Sequence, residues 1–284
     1  MSLPPADWPN RAASRSLRVG ALDWHVQVAG VGPTLLLLHG SGASAHSWAE
    51  LLPALAAHAT VVAPDLPGHG FTTGAPLESL SLPRMRAALA ALMHALALPA
   101  PMLVVGHSAG AALGLRWALD TETAPQAVLG FNPSLVAPPA LYLQWIAPLL
   151  NPVATSSPVT SLLALVAGRF GLVERLLSST GSAVPAAQRA CYQQLFANPA
   201  HVRGAMGFMA AADLPALLPA SAKLRCPVAF VVGMQDHWVP IETLQPVLSR
   251  YFGTAEVERW PGGHLLHEAD PARATARVLA LLAR

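Results

Sequence analysis

Met102-Leu103-Val104-Val105-Gly106-His107-Ser108-Ala109-Gly110 is the stretch from which the rest of the chain is read. Its first four residues are apolar and make a short strand of the fully buried type, and an Ala/Leu-rich helical pattern follows with no loop between. At the junction stands G-x-S-x-G. Gly106 and Gly110 leave room for a turn so sharp that the side chain at its tip, Ser108, must stand clear of the backbone. The pentapeptide alone is common. The strand before it and the helix after it make it a nucleophile elbow, rather than a tight turn with an incidental serine.

An activated serine needs oxyanion donors, a base and an acid, and residue types for each occur in order along the chain. Upstream, the all-apolar strand Thr34-Leu35-Leu36-Leu37-Leu38 ends in His39-Gly40-Ser41-Gly42. Glycines there let backbone N–H groups face a developing negative charge with no Cβ in the way. The expected donors are the amides of Ser41 and of Ala109, the residue after the nucleophile; the alternative is an ordinary glycine turn. Downstream, a strand over 228–232 runs into Gly233-Met234-Gln235-Asp236, where a loop can aim the Asp236 carboxylate inward. Trp260-Pro261-Gly262-Gly263-His264 precedes a helix, and His264 is the proposed base. It takes the Ser108 proton and returns it to a leaving group, while Asp236 fixes its tautomer.

The chain has 11 histidines, so this assignment has rivals. His25, His46, His58 and His94 sit in strand or helix patterns and read as surface or packing residues. His69, in Pro67-Gly68-His69-Gly70, shapes a turn, and His39 and His107 anchor the two glycine turns by hydrogen bonds. His267 is the serious rival of His264, but a loop tip reaches Ser108 more freely than a position inside the following helix. For the acid the rival is Asn132, after the strand over 127–131, but an amide cannot supply the charge. Asp65 is read as a loop brace.

Apolar strands over 34–38, 60–63, 102–105, 127–131 and 228–232, and a more polar one over 255–259, alternate with helical patterns over 47–57, 82–97, 108–119, 241–252 and 271–282. That alternation predicts an α/β fold: a mostly parallel sheet covered by helices on both faces. The strand over 22–28 alternates, with Leu22, Trp24, Val26 and Val28 on one face, and reads as part of an antiparallel edge hairpin. The alternation breaks after Asn132. The expected division is a core of residues 1–132 and 221–284 with a helical cap over 133–220. No charged residue occurs from Thr123 to Gly168, but Pro133, Pro138, Pro139, Pro148, Pro152 and Pro158 fragment the run, so no membrane span is expected there. The cap is either a lid packed on the core or an apolar-walled pocket that also touches a membrane surface. Trp145, Phe170, Tyr192, Phe196, Met206, Phe208 and Met209 are the lining candidates, and Trp145, Phe170, Tyr192 and Phe208 are the substrate-binding residues taken forward.

Composition fits this picture. The 284 residues suffice for one large core with an insertion, and 53% are hydrophobic against 11% charged. A net charge of +2, with no Lys/Arg run, speaks against nucleic-acid binding. Cys191 and Cys226 are too few for a disulfide framework and are expected to be reduced in a cytoplasmic protein. The N-terminal stretch, broken by Pro, Asp, Trp and Arg, predicts no signal segment. No Cys/His spacing suggests a metal, and no cofactor is expected.

His39-Gly40-Ser41-Gly42, Asp65-Leu66-Pro67-Gly68-His69-Gly70, Gly106-His107-Ser108-Ala109-Gly110, Gly233-Met234-Gln235-Asp236 and Gly263-His264 together resemble the α/β-hydrolase superfamily over nearly the whole chain. The resemblance implies the α/β-hydrolase fold and esterase-like chemistry. Dehalogenases and epoxide hydrolases of this fold place an Asp at the elbow, so Ser108 speaks against both. C–C bond hydrolases of ring-cleavage products use Ser, Asp and His in this order and stay open. A narrower set of stretches is similar to the magnesium-chelatase accessory hydrolases of bacteriochlorophyll biosynthesis: Asp7-Trp8-Pro9-Asn10-Arg11, the segment 38–48, the elbow itself, Thr180-Gly181-Ser182, and Asn198-Pro199-Ala200-His201-Val202-Arg203-Gly204-Ala205. That resemblance implies work near magnesium–porphyrin formation, with a porphyrin as substrate or ligand and magnesium chelatase as partner; peripheral contact with the inner membrane surface is an expectation drawn from the apolar cap. Two readings stand: a serine hydrolase of esters or related acyl compounds, and a non-catalytic porphyrin-binding accessory protein in which His201 is a candidate axial ligand, although a lone histidine is more often structural.

Overall fold

The computed structural model describes residues 3–120, 122–136 and 171–284. Its strands are β1 (Ser14–Val19), β2 (Leu22–Ala29), β3 (Thr34–Leu38), β4 (Thr60–Pro64), β5 (Leu103–His107), β6 (Ala127–Phe131), β7 (Val228–Gly233) and β8 (Glu256–Trp260). They form one sheet in the order β1-β2-β4-β3-β5-β6-β7-β8. From β4 to β8 every pairing is parallel, while β2 is antiparallel to both β1 and β4. The edge hairpin expected around 22–28 is present. Its outer strand β1 carries only Leu17 and Val19 among polar residues, so it gave little apolar signal.

Period-two alternation sends each buried strand's side chains to both faces. On one face Leu36, Leu38, Val62, Val104, Val128, Phe230 and Val232 pack against α2 (Leu82–Ala95), α3 (Ala109–Ala118) and α8 (Ile241–Tyr251). On the other, Leu35, Leu37, Val61, Val105, Leu129 and Val231 meet α1 (Leu51–Ala56), the short α9 (Leu266–Ala269) and α10 (Pro271–Leu282). A sheet covered twice explains why these strands read as unbroken apolar runs. The helical pattern over 47–57 resolves into a 3₁₀ turn, Ala45–Trp48, followed by the shorter α1.

Between β6 and β7 the described residues supply α4 (Leu172–Ser179), α5 (Ala186–Phe196), α6 (Pro199–Ala211) and α7 (Leu214–Ala220). These helices meet the loops that follow the C-terminal ends of the parallel strands, the edge where open α/β sheets bind ligands. Tyr192 of α5 donates to Glu268, and Ser41 after β3 donates to the carbonyl of Ala205 in α6. Trp145 and Phe170 lie outside the described residues, as does most of the uncharged run. Among the described residues no single helix is long and apolar enough to cross a membrane.

Candidate active site

β5 delivers Ser108 at its end, and α3 begins at the next residue. Ser108 has φ 53° and ψ −117°, a backbone state that a residue with a Cβ seldom adopts. The surroundings impose it. A Cβ on Gly106 would lie 2.4 Å from the Gly110 carbonyl oxygen, and one on Gly110 would lie 2.2 Å from that of Leu38. Only glycines let α3 start this close to β5 and β3, and that closeness lifts Ser108 to the tip. Its side chain is half-buried, within reach of a ligand.

Asp236 sits just past β7, where its Oδ1 accepts the N–H groups of Trp238 and Val239 at 2.8 and 2.9 Å. Its Oδ2 lies 2.8 Å from Nδ1 of His264, and Nε2 of His264 lies 3.0 Å from Oγ of Ser108. One imidazole thus bridges the hydroxyl and the carboxylate that the sequence singled out. Burial pushes the Asp236 carboxyl up, but His264 and the two N–H donors outweigh it and hold the group below its ordinary value. Asp236 is therefore a carboxylate at neutral pH, and its negative charge faces the ring.

The glycine turn after β3 lies alongside the elbow. A Cβ on Gly40 would be 3.1 Å from Cβ of Ser108. His39 shapes this turn: Nδ1–H donates to the Gly40 carbonyl at 2.8 Å, while Nε2 accepts the N–H of Leu66 at 2.9 Å. Ala109 is the first residue of α3, so its N–H is among the donors a helix leaves without an internal partner. Gly40, the residue before Ser41, and Ala109 thus both lie next to Ser108.

The rivals find other work. His267 is fully buried, bonded to Ser47 at 2.9 Å and set against the ring of His107, away from Ser108. Asn132 donates to the carbonyls of Gly263 and His264 at 2.9 and 2.8 Å and accepts from the N–H of Gly233. It clamps the loops that carry Asp236 and His264. His107 adds a second donor to the His264 carbonyl at 2.9 Å. Asp65 accepts from Ala45, Phe71 and His25, which is the bracing role expected of it.

Several contacts had no clear sequence signal. The indole of Trp238 stacks on His264, with centroids 5.5 Å apart, and its Nε1 donates to Ser179 of α4. The segment 180–182 holds the His264 loop: the N–H of His264 donates to the Thr180 carbonyl, and the N–H of Leu265 donates to Ser182 Oγ. The lining candidates fare differently. Phe208 is fully buried in the main core, beside His69, so it faces protein rather than an open cavity. Tyr192 is buried among Ala43, Val173, Leu177, Val184 and Leu265, with its hydroxyl on Glu268. Met206 is buried as well, while Phe196 stands against Gly42 and packs partly buried on that same apolar cluster. His201 is 1% exposed, with Nδ1 accepting from Gly70 and Nε2 donating to the Gly42 carbonyl. Both ring nitrogens are committed, so the axial-ligand role considered for His201 is not available to it. Among the described residues no group of His, Cys, Asp and Glu is arranged to hold a metal ion.

Comparisons with known proteins agree with this architecture. A model of the "Alpha/beta hydrolase family" matches residues 35–278. The chain is 37% identical to the "Magnesium-chelatase 30 kDa subunit" of Rhodobacter capsulatus, over 93% of this chain and 92% of that one. It is 28% identical to the "Pimeloyl-[acyl-carrier protein] methyl ester esterase" of Chromobacterium violaceum, over 89% and 97%. Among solved structures, "Epoxide hydrolase CorEH without ligand" superposes with a TM-score of 0.79 at 22% identity, covering 95% of this chain and 98% of that one. That last likeness speaks to the fold alone, and the elbow residue here is a serine.

Proposed function

Because the chain belongs to the α/β-hydrolase family, we propose that it is a serine hydrolase of esters or related acyl compounds, acting in or near magnesium–porphyrin and bacteriochlorophyll biosynthesis, with segment 133–220 as its cap. The observation that carries the chemistry is the His264 ring, 2.8 Å from the Asp236 carboxylate and 3.0 Å from the Ser108 hydroxyl. Nδ1–H of His264 donates to Asp236, which leaves Nε2 unprotonated and aimed at Oγ of Ser108. Oγ attacks the acyl carbon as Nε2 takes its proton, and the imidazolium is stabilised by the carboxylate beside it. The carbonyl oxygen becomes an oxyanion, held by the N–H groups of Ser41 and Ala109. Collapse expels the alcohol, which receives the proton from His264. Water, deprotonated by the same ring, then attacks the acyl-enzyme and releases the acid and free Ser108.

The pathway assignment rests on the relative named as a magnesium-chelatase subunit. The same relative favours a second reading, in which the protein binds a porphyrin and assists the chelatase without turnover. Hydrolysis of p-nitrophenyl acetate and butyrate, followed at 405 nm in wild type and Ser108→Ala, separates the two. The hydrolase reading expects turnover that Ser108→Ala lowers by several orders of magnitude. An inert wild type that perturbs the Soret band of magnesium protoporphyrin saturably favours the accessory role. A cytoplasmic location with peripheral membrane contact accompanies either reading, and cell fractionation tests it.

A further inference from the structure

The glycine turn that places Ser41 is held from above as well as from below. Three hydrogen bonds and one close backbone approach join it and the neighbouring 66–70 loop to α6. Oγ of Ser41 donates to the Ala205 carbonyl at 2.8 Å. Nε2 of His201 donates to the Gly42 carbonyl at 3.1 Å, while its Nδ1 accepts the N–H of Gly70 at 2.9 Å. Gly204 lies so close that a Cβ there would fall 1.8 Å from the Gly68 carbonyl oxygen. One buried imidazole therefore spans two turns of the core from a helix outside it. The span needs a neutral ring, since one nitrogen must accept and the other donate. Burial supplies this by pushing the His201 pKa down to about 4.

From this geometry we infer that His201 is a positioning residue: α6, through His201 and the Ser41–Ala205 bond, sets the backbone of the oxyanion turn, so the site is complete only while α6 is docked. The inference rests on the hydrolase reading, because it assigns the Ser41 N–H to the oxyanion. Gly42 has φ +80°, and with glycines at 40 and 42 the turn has little local stiffness of its own. His39 fixes the turn at Gly40, and His201 fixes it two residues further on. Ser41 lies between these two anchors. A lid helix that also holds the turn ties closure to catalysis.

The test uses His201→Phe, which keeps ring packing against His69 and Phe196 but has neither donor nor acceptor, and His201→Gln, which has both. Ser41→Ala, which keeps the Ser41 N–H and cuts only the tie to Ala205, serves if His201→Phe does not fold. Each is assayed on p-nitrophenyl acetate, on inhibition by an aryl trifluoromethyl ketone, and by hydrogen exchange of peptides spanning 39–44. For His201→Phe the inference expects kcat to fall roughly 10- to 100-fold with KM little changed, because a small misplacement of the turn costs transition-state stabilisation. Ketone affinity should weaken by the same factor, exchange over 39–44 should speed up, and His201→Gln should recover part of the loss. Ser41→Ala should lower kcat in the same way. A folded His201→Phe with wild-type kcat and exchange, or one that raises KM alone, overturns the inference and leaves the hydrolase reading standing. A wild type unreactive toward esters and fluorophosphonates overturns that reading and this inference with it.

Discussion

The side-chain amide of Asn132 donates to the carbonyl of His264 at 2.8 Å. The same amide reaches Gly263, and its oxygen takes the N–H of Gly233, so one buried residue at the end of β6 joins the ends of β7 and the base loop. The hydrogen-bond polarity decides why this is an amide. An aspartate here would turn two donor bonds into a carboxylate facing two carbonyls. Asn132→Asp is expected to cost roughly 2–4 kcal/mol of stability, the cost of a buried charge without a partner, and to abolish esterase activity. Urea unfolding and p-nitrophenyl acetate turnover check it; a wild-type midpoint would mean the clamp is not structural.

Asp236→Asn isolates the tautomer. The new amide can keep Oδ1 on Trp238 and Val239, but its NH₂ then faces Nδ1 of His264 and forces the ring proton onto Nε2. A protonated Nε2 cannot accept from Ser108. Activity is expected to fall by about 10⁴-fold with the melting temperature nearly unchanged. Ester turnover and calorimetry read the two arms, and a loss under tenfold would remove Asp236 from the role of acid.

Glu268 tests the contact between core and α5. It is fully buried, accepts from Tyr192 and Ser47, and burial pushes its carboxyl up to about 7. A carboxyl whose pKa is higher folded than unfolded binds its proton more tightly in the native state. Stability from this group is therefore complete below about pH 4.5 and is lost as pH rises through 7. Glu268→Gln, which is neutral at every pH, should unfold at higher urea than wild type at pH 8 and match it near pH 4.5. Urea midpoints at the two pH values check this, and equal midpoints at pH 8 would contradict it.

The buried histidines act in the opposite sense. Burial lowers His46 and His267 to about 3 and His201 to about 4, and it depresses His39, His69 and His107 as well. The unfolded chain takes up these protons from pH 6.5 downward while the folded one refuses them, so stability falls as pH drops below 6.5. All six shifts act in the same sense in that window and outweigh the single opposing Glu268. Urea midpoints measured from pH 7.5 to 5 should fall with decreasing pH; a flat profile would contradict the neutral buried rings.

The fold was legible because a sheet covered on both faces needs apolar strands. The elbow and its partners were legible because glycine spacing marks backbone that must pass within contact distance of other backbone. Ser108, Asp236 and His264 could be named from the strand ends that carry them. What the residues hid was long-range. Asn132 looked like a failed acid, since its partners at 233, 263 and 264 come together only in the folded sheet. The structural work of His201 could not be located from the sequence, because nothing local shows that both its nitrogens are spent on Gly42 and Gly70. Tyr192 and Phe208 looked like pocket walls because an aromatic on a helix reads alike whether it faces a ligand or a core. β1 went unseen because its pairing with β2 rests on backbone bonds rather than on apolar side chains.

The central claim is that Ser108 is a nucleophile activated by His264. Exposure to a fluorophosphonate followed by peptide mass spectrometry reads it directly, since the reagent phosphonylates a serine whose proton is being taken far faster than it does an ordinary hydroxyl. The predicted result is one adduct, on the peptide carrying Ser108, absent in Ser108→Ala and slowed by orders of magnitude in His264→Ala. No adduct on the folded wild type, or an adduct on another residue at the same rate, would contradict it.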